Sequence, residues 1–188
     1  MMKRIKGLWL VEETVQRYKS AWLEVCEDKV IRPDGQAGRF ATVKMKPGVS
    51  VLALDEDVEV YLTSEFRYAV ERNSIEVVSG AIDEDELPPV AARRELREEL
   101  GLEATEWVDL GSVDPLTSII HSPASLFLAR KLSFVEPERE GTEIIRVVKV
   151  KLSEAVRMVM ESEITHGPSC VLILKTNHLL NSQKAGIS

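Results

Sequence analysis

The sequence has no surplus of basic residues: 31 Asp and Glu against 24 Lys and Arg give a formal net charge of −7. That balance argues against a general nucleic-acid binder, which presents a basic face to phosphates. Cysteine is scarce too. Cys26 and Cys170 stand far apart in no metal-like spacing, which excludes a disulfide framework and a zinc motif and fits free thiols in a reducing compartment. No apolar run approaches the roughly 20 residues needed to cross a bilayer. The basic start, Met1–Leu10, lacks the long apolar core of a secretory signal. A cytoplasmic protein with neither membrane nor nucleic-acid partners is the expectation. No long polar or Pro/Gly/Ser-rich tract interrupts the chain, so order is expected away from the ends. What is present is 188 residues with 44% hydrophobic content, enough for one compact domain with room for a small appended lobe.

Turn chemistry divides the chain into short elements. Lys6 to Glu13 and Trp22 to Ile31 read as strands. Pro33-Asp34-Gly35 is a strong turn, and Arg39 to Lys44 is the returning strand of an N-terminal hairpin. Pro47-Gly48 marks the next break. Val49 to Leu54 and Val58 to Phe66 pair around the acidic turn Asp55-Glu56-Asp57, and a short apolar strand, Ile75 to Val78, leads to Gly80. A helix is expected from Pro88 to Leu100, with proline tolerated in its first turn and Gly101 as its C-terminal cap. Trp107 to Val113, Ser125 to Leu132 and Ile144 to Val150 read as further strands. Ser153 is placed to cap a second helix running to Met160, and Ser169 to Leu180 reads as a third. The class is α+β, mostly strands with few helices between them.

Chemistry concentrates in GAIDEDELPPVAARRELREELGL, Gly80 to Leu102. At 3.6 residues per turn, Glu95, Glu98 and Glu99 fall within an arc of roughly 100° on one helix face. Ala92, Leu96 and Leu100 form an adjacent apolar stripe suited to a core, while Arg93 and Arg97 point to the far side and are expected in solvent. Carboxylates so arranged repel one another. Arg94 can relieve part of this through an i, i+4 pair with Glu98, and a divalent cation would relieve more, because hard cations prefer carboxylate oxygens. Taken alone, the Arg-Glu-Leu and Arg-Glu-Glu strings also fit a salt-bridged surface helix. The longer spacing discriminates: G-x5-E-x7-REL-x-EE-x-GL.

That spacing resembles the Nudix hydrolase signature at every defined position. The resemblance implies a mixed β-sheet sandwiched between helices, and hydrolysis of a pyrophosphate bond assisted by Mg²⁺ or Mn²⁺. It implies that Glu95, Glu98 and Glu99 are metal-binding carboxylates, with Glu98 and Glu99 closest to the chemistry. It further implies that the backbone carbonyl of Ser79 adds a ligand, that Glu86 and Arg94 brace the loop against the helix, and that Gly80 lets the chain pass close to the metals. Ser64-Glu65-Phe66-Arg67-Tyr68 followed by Ile75-Glu76-Val77-Val78-Ser79-Gly80 is similar to the ADP-ribose pyrophosphatase branch, with Val78-Ser79 where that branch has Pro-Ala. The hairpin from Trp22 to Lys44 is similar to the strands through which that branch dimerises and shares a substrate site.

On this likeness the chain divides into an N-terminal strand lobe, 1–46, through which a homodimer forms, and a hydrolase domain, 47–188. The small-molecule substrate is a nucleoside diphosphate sugar, ADP-ribose foremost. Other nucleoside di- or triphosphates, dinucleotide polyphosphates, or nucleotide-sugar sensing without cleavage are the alternatives. Arg67 and Glu76 are expected at the substrate, since a guanidinium offers phosphate a planar fork of donors, against the plainer role for Arg67 of a surface ion pair, for instance with Glu65. Relatives supply a general base from a loop before the last long strand. Glu138, Glu140 and Glu143 crowd that position; Glu143 aligns best and Glu140 second. His121 is a further candidate for phosphate or sugar contact, against the plainer role of a loop hydrogen-bonder. His166 and His178 read as structural, and Trp9, Trp22 and Trp107 as core or interface residues.

Overall fold

The computed structural model describes residues 4–136, 145–184 and 186, which form two compact units. The first comprises Met1–Pro47 and Asp114–Pro123, the second Gly48–Val113 and Ala124–Ser188. The expected lobe of residues 1–46 thus has company from a segment read as a plain loop. In the first unit β1 (Arg4–Lys6), β2 (Trp9–Lys19), β3 (Leu23–Ile31) and β4 (Ala37–Met45) form an antiparallel meander. A two-residue strand, β10 (Ile120–His121), runs parallel to β4 at its edge. The expected hairpin is present. Gly35 takes a left-handed φ of 81°, the Asp34 carboxylate accepts the Gln36 N–H at 3.1 Å, and Arg39 lies opposite Lys29. The first long strand runs past Glu13 to Lys19 because Thr14, Val15 and Tyr18 continue to pair with β3.

The second unit is built on a mixed sheet in the order β12-β6-β5-β11-β9, with β7 beside β6 and β8 beside β5. Its strands are β5 (Gly48–Leu54), β6 (Glu59–Arg67), β7 (Arg72–Glu76), β8 (Val78–Ala81), β9 (Leu102–Val113), β11 (Ala124–Phe134) and β12 (Arg146–Lys151). β11 is parallel to β5; the other pairings are antiparallel. Strand β5 reads as a nearly unbroken apolar run because both of its faces are covered. Val49, Val51 and Ala53 join one core with Ala92, Leu96 and Leu100 of helix α1 (Pro88–Leu100). Leu52 and Leu54 join another with Ala155 and Met158 of α2 (Leu152–Met160) and Leu172 and Ile173 of α3 (Gly167–Lys184). This is the α+β sheet between helices that the signature implied. No helix among the described residues is long and apolar enough to cross a membrane.

Several boundaries differ from expectation for local reasons. Ser153 does not cap α2: the helix starts at Leu152, and Lys151 occupies the cap position without a side-chain bond. Leu152 is drawn one place earlier because its side chain is buried and its N–H donates to the Val58 carbonyl. Val58 itself lies in the turn, with a left-handed φ of 58°, so β6 starts after it. The strand expected from Ile75 to Val78 breaks at Val77, where the chain leaves β6 to pair with β5. β9 starts at Leu102, directly after the helix cap. α3 begins at Gly167, with Pro168 in its first turn, where a missing N–H is harmless.

Leu96 is fully buried between α1 and the sheet. Leu96→Ala is expected to lower unfolding free energy by about 2–5 kcal/mol, read from the midpoint of urea denaturation at constant slope.

Candidate active site

Helix α1 carries its expected pattern. Pro88 opens it, and Gly101, with φ of 61° and ψ of 41°, closes it as its N–H reaches the Arg97 carbonyl at 2.9 Å. The buried face holds Ala91, Ala92, Leu96 and Leu100, but also two acids, Glu95 at 9% and Glu99 at 8% exposure. Carboxylates are seldom buried without partners. Arg93 and Arg97 are exposed as expected, yet neither is merely solvated. Arg93 lies over the Trp107 ring, 5.1 Å from its centroid, and donates to the Pro89 carbonyl; Arg97 approaches Glu103 at 3.4 Å.

Arg94 organises the acidic face. Its Nε and one terminal nitrogen grip both oxygens of Glu86 at 3.0 and 2.9 Å, and that nitrogen also donates to the Ala81 carbonyl at 3.0 Å. Its other terminal nitrogen donates to Glu95 at 2.7 Å and Glu98 at 3.1 Å. One guanidinium thus ties the loop 81–86 to the helix, as the signature implied for Glu86 and Arg94. The Glu86 carboxylate in turn accepts the Asp83 N–H at 3.1 Å. The bonds from Arg94 and Asp83 hold Glu86 below the usual carboxylate range, and the bonds to Glu86, Glu95 and Glu98 raise Arg94 despite its partial burial.

Gly80 sits in β8, opposite Val49, and a side chain there would overlap the Glu95 carboxylate. The glycine is needed for space, since the acid lies directly on its Cα. Beside it, the Ser79 hydroxyl donates to the Val77 carbonyl at 3.1 Å and bonds the Ser50 hydroxyl at 2.9 Å. Whether this set suits a metal can be judged from its donors. All are hard oxygens on one short stretch of helix and strand, the chemistry that Mg²⁺ and Mn²⁺ prefer. Among the described residues, no three acid, imidazole or thiol groups already converge on a single ion position. In this arrangement Arg94 supplies the positive charge to Glu95 and Glu98 that a cation would otherwise bring.

A second charged group lies on β6 and β7. Arg67 grips Glu76 with two bonds, Nε to Oε1 at 3.2 Å and a terminal nitrogen to Oε2 at 2.8 Å, while its remaining nitrogen meets Glu65 at 2.8 Å. The ion pair with Glu65 is thus present, and Glu76, expected as a second substrate contact, is instead bonded to Arg67. Glu76 is 5% exposed. Burial would raise its pKa, but Arg67, the nearby His166 and Ser74 together hold it low. Arg67 is raised chiefly by its bonds to Glu76, and the charge of Glu99 contributes as well, so the two charged groups share a field.

His166, read as structural from sequence, stands 3.6 Å from Glu76. Only the packing of α3 against the sheet brings it there, and no local motif signals it. His178 lies on α3. His121 lies on β10 in the first unit, exposed and opposite Lys44. Glu138, Glu140 and Glu143 fall outside the described residues. Of the tryptophans, Trp9 meets Phe40 edge-on and Trp107 meets Phe127, but Trp22 is 68% exposed, with Lys46 over its ring.

Several known proteins are similar to this chain. The ADP-ribose pyrophosphatase of Bacillus subtilis (strain 168) is 28% identical over 97% of this chain and 100% of its own length. The methanol dehydrogenase activator of Bacillus methanolicus is 26% identical over 86% of this chain and 88% of its own length. An ADP-ribose pyrophosphatase of Mycobacterium tuberculosis (strain ATCC 25618 / H37Rv) is 29% identical over 74% and 69%, respectively. A solved structure described as an ADP compounds hydrolase superposes with a TM-score of 0.80 over 92% of this chain and 94% of that one, at 19% identity, a likeness of fold. Residues 44–165 match the NUDIX domain, a span that contains the Arg94 clamp, its glutamates and the strands beneath them, and the chain therefore belongs to the NUDIX family of pyrophosphohydrolases.

Proposed function

We propose that this enzyme hydrolyses the pyrophosphate bond of a nucleoside diphosphate sugar, with ADP-ribose as its foremost substrate and Mg²⁺ or Mn²⁺ as its cofactor. The observation that carries the reading is the acid-on-glycine contact of Glu95 with Gly80, set beside Glu98 and Glu99 and braced by Arg94. The substrate assignment is supported by the two ADP-ribose pyrophosphatases among the relatives and by the Arg67–Glu76 pair on the neighbouring strands.

Glu95, Glu98 and Glu99, with the Ser79 carbonyl, would hold the cations. Bound there, divalent cations would neutralise charge on the diphosphate and make water a better nucleophile near neutral pH. Arg67 binds a phosphate oxygen through its fork of donors, exchanging its half-exposed bond to Glu65 while Glu76 keeps the guanidinium in place. Water adds to one phosphorus and its proton passes to a carboxylate. Glu143 is the first choice for that base and Glu140 the second. The bridging P–O bond breaks, leaving a nucleoside monophosphate and a sugar phosphate. Exposed apolar residues on the strands and turns of the first unit, Ile5, Leu8, Tyr18, Trp22 and Met45, support a homodimer formed through that unit.

A panel of ADP-ribose, other nucleoside diphosphate sugars, nucleoside triphosphates and dinucleotide polyphosphates, each with Mg²⁺ or Mn²⁺, tests the substrate by product detection. ADP-ribose is expected to give the highest kcat/KM, and Glu98→Gln to lower it at least 100-fold with folding intact. Tight ADP-ribose binding without turnover would instead assign the protein to nucleotide-sugar sensing. Glu143→Gln is expected to lower kcat about 100-fold or more with KM nearly unchanged; near-normal turnover would move the role to Glu140 or to the helix. Sedimentation equilibrium at micromolar protein is expected to give a dimer, and a monomer at those concentrations would exclude the shared N-terminal interface.

A further inference from the structure

We infer that His166 and Ser169, at the start of the last helix, position the substrate-binding arginine by fixing the Glu76 carboxylate that holds it; the inference rests on the reading of Arg67 as a phosphate ligand. The first observation is the burial of Glu76. A carboxylate 5% exposed must be surrounded by favourable groups to stay charged. Arg67 covers one side with its two bonds. At Oε2, which Arg67 also meets, stands the imidazole of His166, with Nδ1 3.6 Å away.

The second observation is how that ring is held. The Ser169 hydroxyl, fully buried, lies 2.8 Å from His166 Nδ1 and accepts the Val77 N–H at 3.0 Å. A hydroxyl oxygen carries two lone pairs, so Ser169 can accept from the strand and from a protonated Nδ1 at once, and a proton on Nδ1 is the form that the Glu76 carboxylate, 3.6 Å away, favours. Burial lowers the pKa of the ring, Glu76 pulls the other way, and the charge of Arg67 adds to the effect of burial. Rotation of the imidazole away from Glu76 would break the Ser169 bond.

The third observation is the anchoring of the backbone that carries both residues. The Cys170 N–H donates to the His166 carbonyl at 3.0 Å, starting the helix. One residue earlier, Thr165 accepts a bond from Arg72 of β7 at 2.9 Å. The segment is thus pinned to β7 at Arg72 and to the β7–β8 break at Val77, on either side of Glu76 in sequence. Val77 is where the chain leaves one neighbouring strand for another, and its buried N–H takes a side-chain partner from α3 in place of a ladder bond. The same serine therefore satisfies the strand break and orients the histidine, and Arg67 inherits its direction from both. His166 acts through Glu76, as a positioning residue.

Steady-state ADP-ribose hydrolysis with Mg²⁺ tests this with His166→Ala, Ser169→Ala, His166→Asn and Arg67→Ala, alongside thermal unfolding. His166→Ala is expected to raise KM about tenfold, with kcat within about threefold, the loss expected for one weakened charge-assisted bond. His166→Asn, which keeps a polar atom near Nδ1, is expected to restore most of the KM. In the double variant with Arg67→Ala, KM is expected to rise no further than in Arg67→Ala alone, because the two residues act on one contact. Should the alanine variant fail to fold, His166→Asn and His166→Gln carry the same comparison, with KM near wild type for the first and raised for the second. Unchanged KM in His166→Ala with raised KM in Arg67→Ala, or additive effects in the double variant, would overturn the positioning role alone. Unchanged KM in Arg67→Ala would overturn the phosphate-ligand reading on which it stands.

Discussion

Four carboxylates, those of Glu86, Glu95, Glu98 and Glu99, crowd the loop and helix that follow Gly80, and one guanidinium makes that tolerable. Arg94 bonds three of them and a backbone carbonyl. Like charges on adjacent helix turns repel, and two of these acids are buried, so the helix could not lie against the sheet without a compensating cation. The clamp also sets geometry. It draws the loop toward the helix, and the absent side chain at Gly80 lets the Glu95 carboxylate rest on the strand backbone. The acids of this face are kept close together by an interaction that is itself structural.

The sheet beneath explains why the clamp stays in place. β5 is covered on both faces, by α1 on one side and by α2 and α3 on the other. β8 pairs with β5 along Gly48 to Val51, so the strand carrying Gly80 is fixed on the same frame that receives Leu96 and Leu100. A close-packed interior transmits little slack. The same frame brings the start of α3 to the β7–β8 break, so the helix on the far face from α1 reaches the arginine expected to meet substrate.

Much of this was legible in the sequence. The spacing from Gly80 to Leu102 carries its own consequences: the helix bounds, the glycine cap, the buried Ala92–Leu96–Leu100 stripe and the i, i+4 pairing of Arg94 with Glu98 all follow from local geometry, while the brace of Arg94 on Glu86 was implied by the family resemblance. The apolar run of β5 and the Pro-Asp-Gly hairpin are equally local. Less legible were features set by partners distant in sequence. Ser153 looks like a helix cap, but burial of Leu152 and its bond to Val58 place the start one residue earlier. Arg93 looked solvated until β9 brought Trp107 under it. β10 is too short for any periodicity and exists because β4 offers an edge.

The sequence by itself determined that Glu95, Glu98 and Glu99 share one side of a helix, because residues three and four apart on a helix share a face whatever surrounds them. Only the tertiary structure decided that Arg67 is shared between Glu65 and Glu76, that the Gly80 position must lack a side chain because Glu95 occupies the space, and that His166 and Ser169 stand behind Glu76. Those relations join residues up to about 90 positions apart, and no short-range pattern encodes such distances. They arise when two apolar helix faces bury themselves on opposite sides of one sheet and carry their polar residues with them.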